Sequence, residues 1–501
     1  MNLVSKIFKE CIEKIERESL LNKDTDKWRL KFHIMPPIGW LNDPNGLSYF
    51  KGKYNIFFQY SPFDINGGLK FWGHYRSSNL IDYEYIGVSI YPDEKYDCHG
   101  VYSGSAFIED DKLYIYYTGN VKLLGEHDYI DSGREANTML TISEDGLNFS
   151  EKECLMEMKD YPKNVTNHIR DPKVWKENDK YYMVQGARIY GINRNENKDN
   201  DIGEVLIFSS KDKINWEHIS TIHTKDAFGY MWECPDLFNL NGQNILITCP
   251  QGVKQIEGIY ENIYLSGYFM INDDYKNNDC EVNNFQILDR GFDFYAPQTF
   301  LDEYNNRVLI GWMGVPDTEE YHKNLTVQYG WQHCLTIARE LTFKNGKIYQ
   351  IPHRSLNNLR IKKIEKDYNS KNLSDNIIDS DIGAYDIIID IKDNNNFKFI
   401  ISEGLCARYD NNTFILEFTD TIGKKIGGGR DKRKAYLENL YNIRVLIDTS
   451  SVEIFINDGE MVFTTRYYPD DYSFKISGNL SLTIYELKSF NIKYNNTNIY
   501  D

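Results

Sequence analysis

The amino-acid sequence predicts an all-β protein, in which a five-bladed β-propeller is preceded by a short N-terminal helix and followed by a C-terminal β-sandwich. Five similar hairpin patterns recur at near-equal spacing along the first two thirds of the chain, which favours the propeller. A series of short alternating strands in the last third favours the sandwich. Aromatic residues make up 14% of the composition, 38 of them tyrosine, which is typical of β-structure and of sugar-binding surfaces.

Length, charge and cysteine content restrict the class of protein. A chain of 501 residues is long enough for two or three domains with a large core. The formal net charge of −17 disfavours nucleic acid or an anionic membrane as a partner, and no apolar run approaches the roughly 20 residues of a membrane span. The eight cysteines are scattered without a CxxC pair, so we expect reduced thiols, no metal and no cofactor.

The N-terminal segment, residues 1–25, is predicted to form a helix that docks on the fold. Its apolar residues fall on one face at helical spacing, namely Leu3, Ile7, Phe8, Cys11, Ile12 and Ile15. Charged residues such as Lys6 and Lys9 interrupt the apolar stretch that a signal peptide needs. The sequence therefore predicts a cytoplasmic protein.

Residues 26–355 are predicted to form the propeller. Five stretches each contain an apolar strand, a short polar turn and a second apolar strand, which is the pattern of a β-hairpin. Near-equal spacing of small antiparallel units is typical of radial repetition, and each interval has room for about four strands, the content of one blade. A β-sandwich or a set of unrelated hairpins is the alternative. The turns centre on Gly52, Asp111, Asp179, Gly242 and Asn306, which are 59, 68, 63 and 64 residues apart.

Acidic residues recur at a similar distance before these turns. Asp43 and Glu233 lie nine positions before the first and fourth turn centres, and Asp171 lies eight before the third. Ser103 and Tyr295 take the corresponding places in the second and fifth hairpins. If each hairpin begins a blade, these positions meet at one mouth of the central channel. Three converging carboxyls are costly, because like charges repel and burial penalises ionisation, so the pattern indicates a functional site.

Two carboxyls that face one pocket are the groups that glycoside hydrolysis requires. Glu233 is flanked by Trp232 and Cys234, a more apolar setting than that of Asp43. An apolar setting favours the protonated form of a carboxyl. We therefore assign Glu233 as the general acid/base and Asp43 as the nucleophile.

Asp171 has a different predicted role. Arg170 precedes it, and an arginine beside a carboxyl favours the ionised form. A permanently ionised carboxylate suits hydrogen bonding to sugar hydroxyls and stabilisation of an oxocarbenium-like transition state.

Eight motifs, in this order, resemble those of glycoside hydrolase family 32, which contains invertases, sucrose-6-phosphate hydrolases and fructanases: HIMPPIGWLNDPNG, FWGH, YSGSA, YTGN, RDPKVW, WECPDLF, FYAPQTF and GWM. The resemblance runs from about His33 to the end of the chain. It implies the same fold and a retaining double displacement through a fructosyl-enzyme, with Asp43, Asp171 and Glu233 as nucleophile, transition-state stabiliser and acid/base. It also implies a fructose pocket lined by Asn42, Gln59, Trp72, Tyr102, Ser103, Arg170, Tyr295 and Trp312.

The chain departs from the family pattern in two places. Tyr75 and Arg76 follow WGH where a small residue is usual, and NLIDYEY replaces a DLVHW-like run. Tyr102 stands where phenylalanine is common. Neither change touches the acids, but both bear on the leaving-group side of the pocket.

Residues 356–501 are predicted to form the β-sandwich. Short alternating strands follow one another at regular spacing, and Asp458-Gly459 is a strong hairpin turn. One basic run, Lys424–Lys434, is predicted to be a solvated hairpin loop. No catalytic group is expected here, so this domain would buttress the propeller, narrow the pocket or mediate homo-oligomerisation, which the sequence leaves open.

The predicted function is that of a β-fructofuranosidase, which releases terminal non-reducing β-D-fructofuranose from sucrose or sucrose 6-phosphate. Its partner would be this small-molecule sugar or a short fructan. Four alternatives stay open: an exo-fructanase acting on inulin- or levan-type oligosaccharides, a transfructosylating enzyme, an inverting arabinan-type hydrolase, and a non-catalytic sugar-binding propeller.

Overall fold

The computed structural model describes residues 2–21, 25–317, 322–378, 382–393, 397–419, 425–494 and 499–500, and strands dominate these parts of the chain. Among them, no helix is long and apolar enough to cross a lipid bilayer. In the parts of the chain that the structure describes, five short 3-10 helices lie between strands: Met158–Asp160, Lys198–Asn200, Asp273–Lys276, Leu325–Tyr329 and Arg354–Leu359.

The predicted N-terminal helix is α1 (Leu3–Leu20), but its buried face differs from the one predicted. Leu3 and Ile7 are exposed, whereas Glu16 is buried. The Glu16 carboxylate accepts hydrogen bonds from the hydroxyls of Tyr60 and Tyr85, at 2.9 and 2.6 Å. A hydrophobic pattern misses this face because a buried glutamate anchors it.

The first two thirds of the chain contains β1 (Gly39–Phe50), β2 (Lys53–Ser61), β3 (Phe71–Ser77), β4 (Asp82–Ile90), β5 (Val101–Glu109), β6 (Lys112–Lys122), β7 (Arg134–Ser143), β8 (Glu153–Met156), β9 (Val165–Glu177), β10 (Lys180–Ile189), β11 (Ile202–Ser210), β12 (Glu217–Thr224), β13 (Met231–Leu240), β14 (Gln243–Gln251), β15 (Gly267–Ile271), β16 (Cys280–Val282), β17 (Gln286–Ile287), β18 (Tyr295–Leu301), β19 (Arg307–Trp312), β20 (Trp331–Gln332), β21 (Arg339–Lys344) and β22 (Lys347–Pro352). The last third contains β23 (Arg360–Ser370), β24 (Tyr385–Ile391), β25 (Phe397–Ser402), β26 (Leu405–Asp410), β27 (Thr413–Phe418), β28 (Lys432–Tyr436), β29 (Asn442–Asp448), β30 (Ser451–Ile456), β31 (Met461–Arg466), β32 (Lys475–Leu487), β33 (Asn491–Tyr494) and β34 (Ile499–Tyr500).

The five predicted hairpins are confirmed as the antiparallel pairs β1–β2, β5–β6, β9–β10, β13–β14 and β18–β19. Their tight turns follow from residues that tolerate a positive φ, such as Asp110 and Asp111 at 50° and 57°, and Asn241 and Gly242 at 50° and 89°. Two successive residues with positive φ match the twist of the flanking strands.

Four of the hairpins lie in propeller-like sheets of four or five strands. In spatial order these are β5, β6, β7, β8; then β16, β12, β11, β10, β9; then β13, β14, β15, β17; and β18, β19, β21, β22. The first hairpin lies in a seven-stranded sheet, in the order β20, β1, β2, β3, β4, β33, β34, which takes strands from the C-terminal end of the chain. Buried side chains fill the space between neighbouring sheets, as where Val205 of β11 lies in one apolar cluster with Trp232 of β13. Trp232 also stacks on Phe269 of its own sheet, with ring centroids 5.1 Å apart.

The last third of the chain is rich in sheet. Strands β24 to β32 form one continuous antiparallel ladder, with β23 paired to β32. The predicted turn at Asp458-Gly459 is confirmed, since it connects β30 and β31, whose ends pair at Ile456 and Met461.

The basic run was predicted to be a solvated loop, and for its two arginines this is wrong, since Arg433 is 9% exposed and Arg430 is buried still more deeply. Lys424 lies outside the described residues, but Arg430 is 1% exposed. Its Nε and Nη2 donate to the two carboxylate oxygens of Asp293, each at 2.6 Å. Asp293 lies just before β18 and 137 residues from Arg430 in sequence, so no local sequence pattern could predict the contact.

Candidate active site

The first strand of each hairpin is irregular at the same place, and this irregularity positions the predicted acids. Register shifts interrupt the ladders between Leu41 and Pro44, between Glu233 and Asp236, and at the matching points of the other three hairpins. Such bulges bend a strand and redirect its side chains. Asp171, Cys234 and Ala296 have φ of 63°, 50° and 46°, and each directly precedes a proline.

The position of each bulge shows that Glu233 is not the structural equivalent of Asp43 and Asp171 that the spacing had predicted. Asp43 and Asp171 both directly precede a proline, but Glu233 stands one residue earlier, so Cys234 is the counterpart of the two aspartates. Tyr295 is displaced in the same way. The site thus has two sets of side chains: Asp43, Ser103, Asp171, Cys234 and Ala296 in one, and Asn42, Tyr102, Arg170, Glu233 and Tyr295 in the other.

Asp43 is held by three donors from different parts of the fold. The Ser103 hydroxyl donates to its Oδ2 at 2.5 Å, and the Asn42 amide donates to its Oδ1 at 3.0 Å. The Cys234 thiol donates to Oδ2 at 3.8 Å. These contacts fix the orientation of the carboxylate.

Asp171 is joined to Asp43 through Cys234. The backbone N–H of Cys234 donates to Asp171 Oδ2 at 2.8 Å, while its thiol contacts Asp43. The backbone of Asp171 is fixed in turn, because its N–H donates to the Thr118 hydroxyl at 2.9 Å. The aspartates therefore converge, although 128 positions separate them in sequence.

Glu233 lies in a polar setting, not the apolar one predicted from its sequence neighbours. Arg170 donates to its Oε1 through Nε and Nη2, at 2.9 and 2.7 Å. The Tyr295 hydroxyl and the Gln251 amide donate to its Oε2, at 2.7 and 2.8 Å. Neighbouring side chains of a strand point to opposite faces, so Trp232 is buried against the next sheet and does not surround this carboxylate.

The electrostatics differ from the prediction for Asp171. Burial raises its pKa to about 7, the Arg170 guanidinium opposes the rise, and the negative charges of Glu233 and Asp43 add to it. Burial also raises the pKa of Asp43, although the hydrogen bonds donated by Ser103 and Asn42 lower it. Asp171 is therefore not permanently ionised in the free protein, because burial outweighs the charge of Arg170.

Three predicted binding residues form a continuous polar wall beside Asp43. The Asn42 amide donates to Gln59 Oε1 at 3.0 Å, and the Gln59 amide donates to the Ser103 hydroxyl at 2.7 Å. A chain of donors and acceptors of this kind suits the hydroxyls of a sugar ring.

The aromatic residues divide into two groups. Trp312 packs edge-on against Tyr295, with ring centroids 6.2 Å apart, and lies beside the acids. Trp72 is elsewhere than predicted: it is fully buried between the first two hairpins, where it packs on Phe57. Its indole N–H donates to the backbone oxygen of Tyr102 at 3.2 Å, so it supports a half-buried pocket residue from behind.

Sequence reasoning missed several residues of the site. Gln251 comes from the end of β14, which carries no motif, and Cys234 was interpreted only as a neighbour of Glu233. Trp40, whose indole N–H donates to Asn42 Oδ1 at 2.9 Å, could have been found, because it stands two positions before that residue in the same strand and so on the same face.

The acids lie at one end of the strands, and a cavity lies at the other. This cavity has a volume of about 930 Å³ and is lined by residues nearer the hairpin turns, including Leu47, Lys173 and Asp236. Among the described residues, no group of three or more His, Cys, Asp and Glu side chains is placed to hold a metal ion.

A cluster of carboxyls at the mouth of a propeller-like β-scaffold, one of them bound by an arginine and a tyrosine, has the groups that glycoside hydrolases use for acid/base and nucleophilic catalysis. Comparison with known proteins agrees. Residues 33–352 match the glycosyl hydrolases family 32 N-terminal domain, and residues 355–493 match the family 32 C-terminal domain. The chain belongs to glycosyl hydrolase family 32.

Relatives with assigned activities cover nearly the whole chain. The sucrose-6-phosphate hydrolase of Bacillus subtilis is 37% identical over 469 residues, which is 92% of this chain and 93% of that protein. The enzyme of the same name from Staphylococcus xylosus is 38% identical over 500 residues, 96% of each chain.

Two solved structures share the fold. The sucrose-6-phosphate hydrolase of Lactobacillus gasseri superimposes with a TM-score of 0.83 at 27% identity, covering 95% of this chain and 96% of that one. A variant of a Bombyx mori family 32 β-fructofuranosidase in complex with sucrose gives a TM-score of 0.80 at 28% identity, covering 98% and 100%.

Proposed function

We propose that this protein is a β-fructofuranosidase that releases terminal non-reducing β-D-fructofuranose from sucrose or sucrose 6-phosphate. The observation that carries the proposal is the meeting of Asp43, Asp171 and Glu233 around one space. Family membership and the activities named for the relatives support it.

We assign Asp43 as the nucleophile of a retaining double displacement. Its carboxylate attacks the anomeric carbon of fructose and forms a fructosyl-enzyme, while Glu233 gives a proton to the departing oxygen. Glu233 then takes a proton from water, which attacks the same carbon and frees Asp43. Donors from Ser103 and Asn42 hold the attacking carboxylate in place.

Asp171 is assigned as the transition-state stabiliser. Its buried carboxyl faces the same space as Asp43, and the partial positive charge of an oxocarbenium-like transition state would favour its ionised form. The fructose pocket is assigned to residues from four of the five hairpins: Asn42, Gln59, Tyr102, Ser103, Arg170, Tyr295 and Trp312, with Trp72 supporting Tyr102.

We further propose the complete architecture of five blades and a sandwich, divided into an N-terminal segment (1–25), a propeller (26–355) and a C-terminal domain (356–501). The fifth blade would be the part of the seven-stranded sheet formed by β1 to β4. Its support is that β1 packs beside both β5 and β18, which closes the ring. A cytoplasmic location is supported by the eight cysteines, all of which are free thiols.

The proposal predicts that the purified protein releases reducing sugar from sucrose or its 6-phosphate, and that Asp43→Ala and Glu233→Ala each lower kcat at least about 1,000-fold, because each removes a group that reacts directly. Asp111→Asn, at an exposed turn on the other end of the strands, is the matched control and should retain full activity.

Two results would contradict the assignment. A parent protein inactive on all β-fructosides, yet binding them, would favour a sugar-binding propeller. Faster turnover of inulin- or levan-type oligosaccharides than of the disaccharides would favour the exo-fructanase alternative.

A further inference from the structure

Lys70 lies at the rim of the site, outside the acids. It directly precedes β3, and the register pairs Phe71 with Tyr60 and Ser61 with Trp40. Asp43 is three residues further along β1 than Trp40. Lys70 therefore belongs to the row of residues at the mouth, one layer further out than the carboxylates.

Among the described residues, no polar group bonds to the ammonium of Lys70. It lies 5.1 Å from the centre of the Trp40 ring, and the indole N–H of Trp40 is bound to Asn42, the residue that holds Asp43. Within the described part of the chain, Lys70 Nζ makes no hydrogen bond and no ion pair.

Other shielded lysines of this protein are paired. Lys152 binds the carboxylates of Asp93 and Asp97, each at 2.6 Å, and Lys173 donates to the backbone oxygen of Thr299 at 2.6 Å. A shielded ammonium without such a partner is costly, because burial penalises its charge. The same burial lowers the pKa of Lys70 to about 7, although the negative charges of Asp43 and Asp64 raise it.

A glycine keeps the space around this ammonium open. Gly67 has a φ of 92°, and a Cβ placed there would lie 3.2 Å from both Lys70 Nζ and the Trp40 ring. A side chain at this position would compete with the lysine for the face of Trp40.

The chemistry of the reaction decides which part of a substrate reaches Lys70. The fructose ring must place its anomeric carbon at Asp43 and its departing oxygen at Glu233, so the leaving sugar extends outward to the rim. An unpaired ammonium is suited to an anionic group such as phosphate, which it binds as a point charge. Uncharged sugar hydroxyls gain much less from it.

We propose that Lys70 determines substrate specificity by binding a phosphate carried on the leaving sugar, so that the preferred substrate is sucrose phosphorylated on C6 of its glucosyl ring. This inference rests on the proposed β-fructofuranosidase activity and extends it.

The test compares kcat/KM for sucrose 6-phosphate and for sucrose in the parent protein and in Lys70→Met, which keeps the length of the side chain and removes its charge. A charge-assisted hydrogen bond of this kind corresponds to a loss of about 10- to 100-fold. We expect that loss in kcat/KM for the phosphorylated substrate, mainly through KM, and less than about 3-fold for sucrose. Inhibition by glucose 6-phosphate should weaken by a similar factor, and Lys70→Arg should retain most of the preference.

Lys95→Met is the matched control. Lys95 lies 4.3 Å from the Tyr96 ring but is exposed, so its replacement changes the net charge equally and should leave both substrates unaffected. A parent protein that does not prefer the phosphorylated substrate, or equal losses for both substrates in Lys70→Met, would overturn the role of Lys70 and leave the β-fructofuranosidase proposal standing. A parent protein inactive on both substrates would overturn both proposals.

Discussion

Asp171 shows how burial and neighbouring charge set the state of a single residue. Its pKa in the folded protein is about 7, while that of an aspartate in an unfolded chain is about 3.9. Between these values the folded protein binds more protons than the unfolded one. The free energy of unfolding therefore falls as pH rises through this window, and the loss is complete above pH 7.

Asp171→Asn removes this dependence while keeping an oxygen that can accept the Cys234 N–H. We predict that the variant is inactive but unfolds at a temperature higher than the parent by roughly 2 °C or more at pH 8, and that the difference disappears towards pH 4. Thermal unfolding followed across this range measures it, with the exposed Asp111→Asn as control. A variant less stable than the parent at pH 8 would show that the ionised carboxylate stabilises the fold.

That the three acids lie close together could be predicted from sequence, because each stands eight or nine positions before a hairpin turn. Their partners could not. Whether Arg170 binds Asp171 or Glu233 depends on a bulge that turns adjacent side chains apart, and Gln251 reaches Glu233 from the end of another strand. Sequence neighbours therefore gave the wrong partners, because tertiary contacts determine which side chains bind these acids.

At the scale of the element, the hairpins could be predicted from their turns. Residues that accept a positive φ mark each one, and alternation on both sides fixes the register. Which strands form the first sheet could not be predicted, since β33 pairs with β4 in parallel, with Asn491 opposite Asp82. A contact between strands about 400 residues apart leaves no local signal.

The turn between β30 and β31 has a second role in docking the C-terminal region. Gly459 has a φ of 85°, and a Cβ placed there would lie 1.7 Å from the backbone oxygen of Gln350 in β22. Gly346 has a similar φ of 75° but no neighbouring atom within 4 Å of such a Cβ. Substitution at Gly346 therefore introduces backbone strain alone, whereas substitution at Gly459 introduces strain and a steric clash.

We predict that Gly459→Ala lowers the free energy of unfolding by about 2 kcal/mol more than Gly346→Ala, because both pay for the positive φ but only the first displaces a neighbouring backbone. Urea denaturation of the two variants and the parent measures this difference. Equal losses would mean that the turn moves freely away from β22.

At the scale of the whole molecule, a buried network of charges joins the two halves of the chain. Arg339 donates to Glu453 at 3.0 and 2.5 Å and to Asp289 at 3.0 Å. His33 lies 3.0 Å from Glu453 and 2.8 Å from Asp448. Burial alone would lower the pKa of His33, but the two carboxylates raise it. The network thus links the start of the chain, the last propeller-like sheet and the C-terminal strands.

Arg339→Met would leave the buried carboxylate of Asp289 without its cation and that of Glu453 with His33 alone. We predict a loss of about 3–5 kcal/mol in the free energy of unfolding. Arg408→Met, which removes a partly exposed partner of Glu417 at 2.8 Å, should cost at most about 1 kcal/mol. Urea denaturation of both variants tests this difference, and comparable losses would show that the buried network contributes no more than a surface pair.

The central claim is that Asp43 and Glu233 act on opposite sides of one bond in a retaining reaction. Turnover of sucrose or its 6-phosphate in dilute methanol tests it directly, because methanol competes with water for the fructosyl-enzyme and the methyl glycoside does not change its anomeric form afterwards. NMR of the first-formed product should show methyl β-D-fructofuranoside. The α anomer would mean inversion, with no fructosyl-enzyme, and would contradict the assignment of Asp43 as nucleophile.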